Sequence, residues 1–191
     1  MSWRAFIAID IEDGDILRKI QDFQALLVGT HSRLKLVEAE NIHITLWFLG
    51  NITPAMADRI HECLKAIEAK PFRVRLTGVG AFPNVGRPNV IWIGVEEGEE
   101  ELRAIYEQLK PSLSRLGFRP DPKGFKPHVT IARVKRRTPE LSKLLMENTS
   151  TPFGSFLAEE IRLKRSTLTP RGPIYSTICS VRLGGQARGG A

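Results

Sequence analysis

Cysteine is nearly absent from this 191-residue chain: Cys63 and Cys179 are the only two. A chain large enough to be held by its core has no need of a disulfide framework, so both read as reduced, packed thiols. Long hydrophobic runs are missing as well. The longest apolar stretches, Ile42 to Gly50 and Val90 to Val95, are strand-length, whereas a bilayer crossing needs about 20 residues. No membrane-spanning segment is expected. Met1-Ser2-Trp3-Arg4 runs directly into an alternating stretch, without the apolar region and small-residue cleavage site of a secretory signal. The expected location is therefore the cytoplasm. No Gly-x-Ser-x-Gly elbow occurs either, which sets aside a serine hydrolase built on that turn.

What is present is an ordinary globular composition, 42% hydrophobic and 26% charged, compatible with one domain or with two similar lobes sharing a cleft. Charge is less evenly spread. Residues 1–114 carry 13 basic and 16 acidic side chains, and residues 115–191 carry 15 basic and 5 acidic, which together give the net +7. Lys135-Arg136-Arg137 and Arg162-Leu163-Lys164-Arg165 lie in the basic half. Either run alone reads equally well as a solvated face; together they favour a polyanionic partner.

The order of elements is written twice. Arg4 to Asp10 alternates as a strand, and from Asp13 the residues Ile16, Ile20, Phe23 and Leu27 recur at helical spacing. Asn41 to Gly50 reads as a strand, Thr53-Pro54 as an N-cap and first helical residue opening a helix to about Ala69, and Phe72 to Leu76 as a further strand. In the second half Val90 to Val95 is a strand, Glu97 to Leu116 a helix stopped by Gly117, and Pro127 to Val134 a strand. Thr138-Pro139 opens a short helix, and a strand pair near Leu157–Leu168 and Tyr175–Leu183 ends the fold. Gly78, Gly80, Pro83, Asn84, Gly86 and Pro88 are expected to form the loop between the lobes. His43, Thr45, Thr53 and Pro54 recur as His128, Thr130, Thr138 and Pro139, every one displaced by 85 residues. Four matches at one offset in the same strand-then-helix context argue for duplication. One bilobal domain is expected over residues 1–184, with a flexible tail over 185–191.

In a strand, residues two apart share a face, so His43 stands with Thr45, and His128 with Thr130, while Ile44 and Val129 point into a core. A lone His-x-Thr is ordinarily a satisfied polar pair on a half-buried strand. Two of them in duplicated lobes can converge on one cleft. One imidazole can then take a proton from an attacking nucleophile, the other can give one to a leaving oxygen, and the hydroxyls can bond phosphate oxygens. Histidine suits both roles because its protonation states balance near neutrality. A zinc site would need a third ligand that neither motif supplies. His31 and His61 have no such repeat.

On Arg4-Ala5-Phe6-Ile7-Ala8-Ile9-Asp10, Asn41-Ile42-His43-Ile44-Thr45-Leu46 with Phe48-Leu49-Gly50, Pro127-His128-Val129-Thr130-Ile131-Ala132-Arg133 and Gly172-Pro173-Ile174-Tyr175, the chain resembles the 2H phosphoesterase superfamily. Within it the resemblance is to the LigT-like RNA 2′,3′-cyclic phosphodiesterases, also called 2′-5′ RNA ligases. It implies an α+β fold of two pseudo-twofold lobes, with two antiparallel sheets lining a central cleft and helices outside. It implies hydrolysis of a terminal 2′,3′-cyclic phosphate to a 2′-phosphate, catalysed by His43 and His128 without metal or cofactor. Thr45 and Thr130 would contact the phosphate. Arg133 matches the arginine after the second motif but needs a bulge or strand end to reach the cleft. Phe6 reads either as a stacking platform for ribose or base or as an ordinary core aromatic, and Tyr175 is a weaker candidate. The implied partner is RNA ending in a cyclic phosphate, tRNA fragments included, acted on by a monomer with no obligate protein partner. Ligation to a 5′-hydroxyl by the same proton transfers, and RNA binding without turnover, are the competing readings.

Overall fold

The computed structural model describes residues 1–185; the rest of the expected tail, residues 186–191, lies outside the described residues. Elements follow in the order β1 (Trp3–Asp10), α1 (Gly14–Val28), β2 (Arg33–Leu36), β3 (His43–Ile52), α2 (Pro54–Lys65), β4 (Phe72–Phe82) and β5 (Val90–Glu97). Then come α3 (Glu99–Arg115), β6 (His128–Arg136), α4 (Pro139–Glu147), β7 (Pro152–Ala158), β8 (Glu160–Thr169) and β9 (Gly172–Arg182). Among the described residues no helix is long and apolar enough to cross a membrane.

Every strand pairing is antiparallel, in the order β7-β4-β5-β6-β3-β1-β8-β9 with β2 on the free side of β6. The joint between β3 and β6 is a single registered pair, Ile44 with Val129. The strands therefore form two sheets, β9-β8-β1-β3 and β7-β4-β5-β6-β2, of four and five strands. The lobes interleave. Helix α1 packs on β7, β2 and β6 of the second sheet, and α3, from the second half, reaches β3 of the first, where Tyr106 lies 5.1 Å from Trp47. Ile16, Ile20, Phe23 and Leu27, the stripe read at helical spacing, are the buried face of α1. They cover one face of the second sheet, α2 covers β8 and β9 of the first, and the opposite faces are left to line the cleft.

Asp13 caps α1 by accepting from the Asp15 and Ile16 amides, and Thr53 caps α2 through the Met56 amide. Thr138 stands at the corresponding place before α4 but donates its hydroxyl to the Thr30 carbonyl, so it ties two loops together instead of capping. Helix α2 stops at Lys65, short of Ala69. There Gln108 of α3 pins Glu68 at both its amide and its carbonyl and draws the chain off the helix axis. Gly78 and Gly80 belong to β4, not to the loop between lobes. Gly78 has a φ of 81° at a register shift, and a Cβ on Gly80 would lie within 2.4 Å of two atoms of the Trp92 ring.

Candidate active site

Each histidine opens its strand, and the antiparallel joint decides what faces it. With Ile44 opposite Val129, parity sends His43, Thr45, His128 and Thr130 to the same face, while Ile44 and Val129 are fully buried on the other. All four polar side chains are half-buried.

Both imidazoles are oriented the same way. Nδ1 of His43 lies 2.7 Å from the Asn41 carbonyl oxygen, and Nδ1 of His128 lies 2.6 Å from that of Lys126. A carbonyl only accepts, so each Nδ1 carries a proton and each Nε2 is left for chemistry. At His43, Nε2 is 2.9 Å from Thr45 Oγ1 and, in the neutral ring, accepts from that hydroxyl. Burial lowers the pKa of His43, the bond to Asn41 and the Asp10 charge oppose the drop, and Lys164 and His128 add to it. Burial also lowers the pKa of His128; the Lys126 carbonyl opposes and the Lys126 ammonium reinforces the drop.

The repeat extends into the backbone. On β3 Ala8 pairs with Thr45 and Ile7 with Trp47, leaving Leu46 as a bulge; on β6 Trp92 pairs with Thr130 and Ile91 with Ala132, leaving Ile131 as a bulge. Leu46 and Ile131 are themselves 85 residues apart. Each bulge shifts the alternation by one, so Phe48 and Arg133 return to the cleft side. This supplies the kink that Arg133 needs. The bulged Ile131 carbonyl is satisfied by the Val37 amide at 3.0 Å and by Nε2 of buried Gln24 at 2.9 Å.

A cavity of about 580 Å³ opens on the His43 side, lined by His43, Thr45 and Thr130 on its floor and by Phe6, Phe48 and Tyr175 on a wall. Its size suits a nucleotide. Phe6 is only 4% exposed and lies 5.0 Å from the His43 ring, with Tyr175 4.9 Å behind it, so it braces the imidazole more than it offers a free face. Phe48, at 71% exposure, is the open ring, and Tyr175 stands edge-on to His43 at 5.5 Å. His128 lies on the other side of this floor, framed by Phe82 at 5.0 Å and Trp92 at 6.2 Å. The Lys126 ammonium sits 4.4 Å above the Trp92 ring. Gln24 and Lys126 carry no signal in the sequence, and Phe48, quoted there as part of the first motif, was not read as a site residue although it stands 85 residues before Arg133.

Behind His43 lies an ionic cluster. Asp10, cross-strand from His43, accepts from Lys164 Nζ and Arg162 Nη1 at 2.7 Å each, and Arg162 also binds Glu12 and Glu160. Among the described residues no group of three or more His, Cys, Asp or Glu side chains is arranged to hold a metal ion.

The family model for the 2′-5′ RNA ligase superfamily matches residues 13–168. An RNA 2′,3′-cyclic phosphodiesterase of Archaeoglobus fulgidus is 44% identical over 175 residues, 92% of this chain and 97% of that protein. One from Aeropyrum pernix is 45% identical over 157 residues, 81% of this chain and 89% of its own length. A crystal structure from Thermus thermophilus superposes with a TM-score of 0.81 at 28% identity, covering 96% of this chain and all of that one. E. coli LigT complexed with 3′-AMP has the same fold, with a TM-score of 0.75 at 23% identity over 96% of this chain and 98% of that one.

Proposed function

The chain belongs to the 2′-5′ RNA ligase superfamily, and from that premise we propose that it is an RNA 2′,3′-cyclic phosphodiesterase working by two-histidine acid–base catalysis without a metal. The observation that carries the mechanism is the pair of His-x-Thr units on one face, each with Nδ1 anchored to a backbone carbonyl and Nε2 left for proton transfer.

Water enters on the His128 side and attacks phosphorus as His128 Nε2 takes its proton. The P–O3′ bond breaks, His43 Nε2–H gives its proton to the departing 3′-oxygen, and the product carries a 2′-phosphate. The elements of one water are added across that bond. Thr45 and Thr130 donate to the non-bridging oxygens, and Arg133 offsets their charge. Protonating His43 turns Nε2 into a donor, which frees the Thr45 hydroxyl hydrogen for the phosphate. Phe6 fixes the His43 ring, while Phe48 and Tyr175 provide surfaces for the terminal base.

One chain supplies the whole cleft, so a monomer suffices, and cytoplasmic RNA fragments such as those cut from tRNA are its substrates. The test is to incubate the protein with an oligonucleotide ending in a 2′,3′-cyclic phosphate, in excess chelator, and to identify the new terminus. A 2′-phosphate is expected. A 3′-phosphate would reverse the substrate orientation, activity restored only by a divalent ion would replace the metal-free mechanism, and binding without turnover would leave an RNA-binding module.

A further inference from the structure

The cavity holds more positive charge than a cyclic phosphate requires. Arg4, Lys35, Arg133 and Arg171 line it against one carboxylate, Glu38, a surplus of three, whereas a cyclic phosphodiester carries a single negative charge. Among the described residues none of the four cations forms an ion pair. Some basic side chains elsewhere do find acids, as Arg162 and Lys164 find Asp10.

Their placement also works against the fold. Lys35 of β2 is registered directly opposite Arg133 of β6, and like charges facing each other across a strand pair destabilise it. Lys35 Nζ donates to the Arg171 carbonyl at 3.2 Å, which draws the turn between β8 and β9, with its arginine, over the cavity mouth. Arg4 enters from the opposite wall, two residues before Phe6, and both it and Arg133 act electrostatically on Tyr175. An unpaired cationic ring around an aromatic nucleoside pocket is the arrangement expected for a second phosphate on the same nucleotide.

Resting on the phosphodiesterase reading, we propose that Arg4, Lys35 and Arg171 bind the phosphodiester on the 5′ side of the terminal nucleoside, so that the enzyme selects RNA ends over free nucleoside 2′,3′-cyclic phosphates. The internucleotide phosphate is the one anion that every RNA end carries at this position and a free cyclic nucleoside monophosphate lacks.

Three substrates with the same base separate the possibilities: a nucleoside 2′,3′-cyclic phosphate, its 5′-phosphorylated form, and a dinucleotide ending in the cyclic phosphate. The native protein should show kcat/KM about 10- to 100-fold higher for the second and third than for the first, the scale of one charge-assisted contact. In the Arg4→Gln/Arg171→Gln variant, with both side chains exposed, that ratio should fall toward one, and Arg4→Lys/Arg171→Lys should restore part of it. For the dinucleotide, kcat/KM should also fall less with added salt in the double glutamine variant than in the native protein, since fewer charge contacts are left to screen. A native ratio near one, with the free cyclic nucleotide still hydrolysed, would overturn this assignment and leave the phosphodiesterase reading intact. A preference that survives the double substitution would likewise overturn it. Turnover of none of the three would remove the phosphodiesterase reading and this assignment with it. A preference for the 5′-phosphorylated nucleotide without one for the dinucleotide would mean that a terminal phosphomonoester, not a chain, is recognised, and would count against the selection of RNA ends.

Discussion

Ile44 and Val129 face each other across the only registered pair between β3 and β6, and each is the middle residue of its own His-x-Thr unit. The contact that joins the lobes therefore also sets the separation of the two imidazoles. Both side chains are fully buried. Ile44→Ala should cost about 2–5 kcal/mol, as large-to-small core substitutions do, and Ile44→Val about 0.5–1.5 kcal/mol. Because the void left by the missing side chain lies beneath the pairing of both motifs, Ile44→Ala should also lower kcat at temperatures where the variant is fully folded. Denaturant midpoints together with kcat at low temperature check both halves of this expectation.

His43→Ala and His128→Ala should each reduce turnover by about 10²–10⁴-fold, the usual contribution of a positioned proton-transfer group. The double variant should be little worse than either single one, because acid and base act in one step. Near-native hydrolysis by either folded single variant would rule out the paired mechanism.

The pH profile follows from burial. Both imidazole pKa values lie below the ordinary 6.5. The base must be neutral and the acid protonated, so kcat/KM should trace a bell with its maximum below about 6.5 that already declines through neutrality. Its two limbs belong to the coupled pair and not to either residue. Stability has the opposite sense: on acidification the unfolded chain takes up protons near 6.5 that the folded chain accepts only at lower pH. These two groups therefore lower stability as the pH falls through that window. Melting temperatures from pH 8 to pH 5 should drop more steeply for the native protein than for His43→Ala/His128→Ala.

The strand parity that puts each histidine beside its threonine was legible because it needs only the two-residue repeat of a strand, and the stripe of α1 because its period is helical. Arg133 was legible as a residue but not as a direction. The bulge at Ile131 depends on a carbonyl shared by Val37 and Gln24, contacts no local pattern encodes. Strand β2 escaped notice because Arg33-Leu34-Lys35-Leu36 is four residues long and half exposed, held by pairing with β6 and not by its own apolar content. The crossing of α1 to the second sheet is a property of topology, which hydrophobic spacing cannot specify. Gly78 and Gly80 read as loop because their reasons for being glycine, a Thr149 carbonyl and the Trp92 ring, come from distant parts of the chain.

Gln24 offers a direct check of the bulge. Its Nε2 donates to the Val37 and Ile131 carbonyls at 2.9 Å each from a buried position. Gln24→Met keeps the volume and removes both donors, so it should cost about 1–3 kcal/mol for the polar groups left under-satisfied. If the bulge loosens, Arg133 loses its aim, and KM for the cyclic phosphate should rise more than the stability loss alone explains. Unchanged KM in the folded variant would show that β6 holds the kink without Gln24.

Asp10 couples the ionic cluster to the chemistry and can be tested at both ends. Lys164 is only 7% exposed and its ammonium contacts Asp10 and the Thr177 hydroxyl. Asp10→Asn would strand that charge and should cost about 3–5 kcal/mol, as breaking a buried pair does. Arg162 keeps Glu12 and Glu160 and should suffer less. At His43 the same substitution removes a carboxylate that raises the imidazole pKa and leaves Lys164, which lowers it, opposed only by the bond to the Asn41 carbonyl. The proton on His43 is then held less tightly, and the kcat/KM bell of the coupled pair should move to lower pH. Removing both charges in Asp10→Asn/Lys164→Met takes away the two opposing influences together. Stability should recover most of its loss, since a buried pair replaced as a unit is often close to neutral, and the bell should return toward its native position. A pH profile that is identical in all three proteins would show that the cluster is structural only. A double variant as unstable as Asp10→Asn would show that the carboxylate's value lies with Arg162 and not with Lys164.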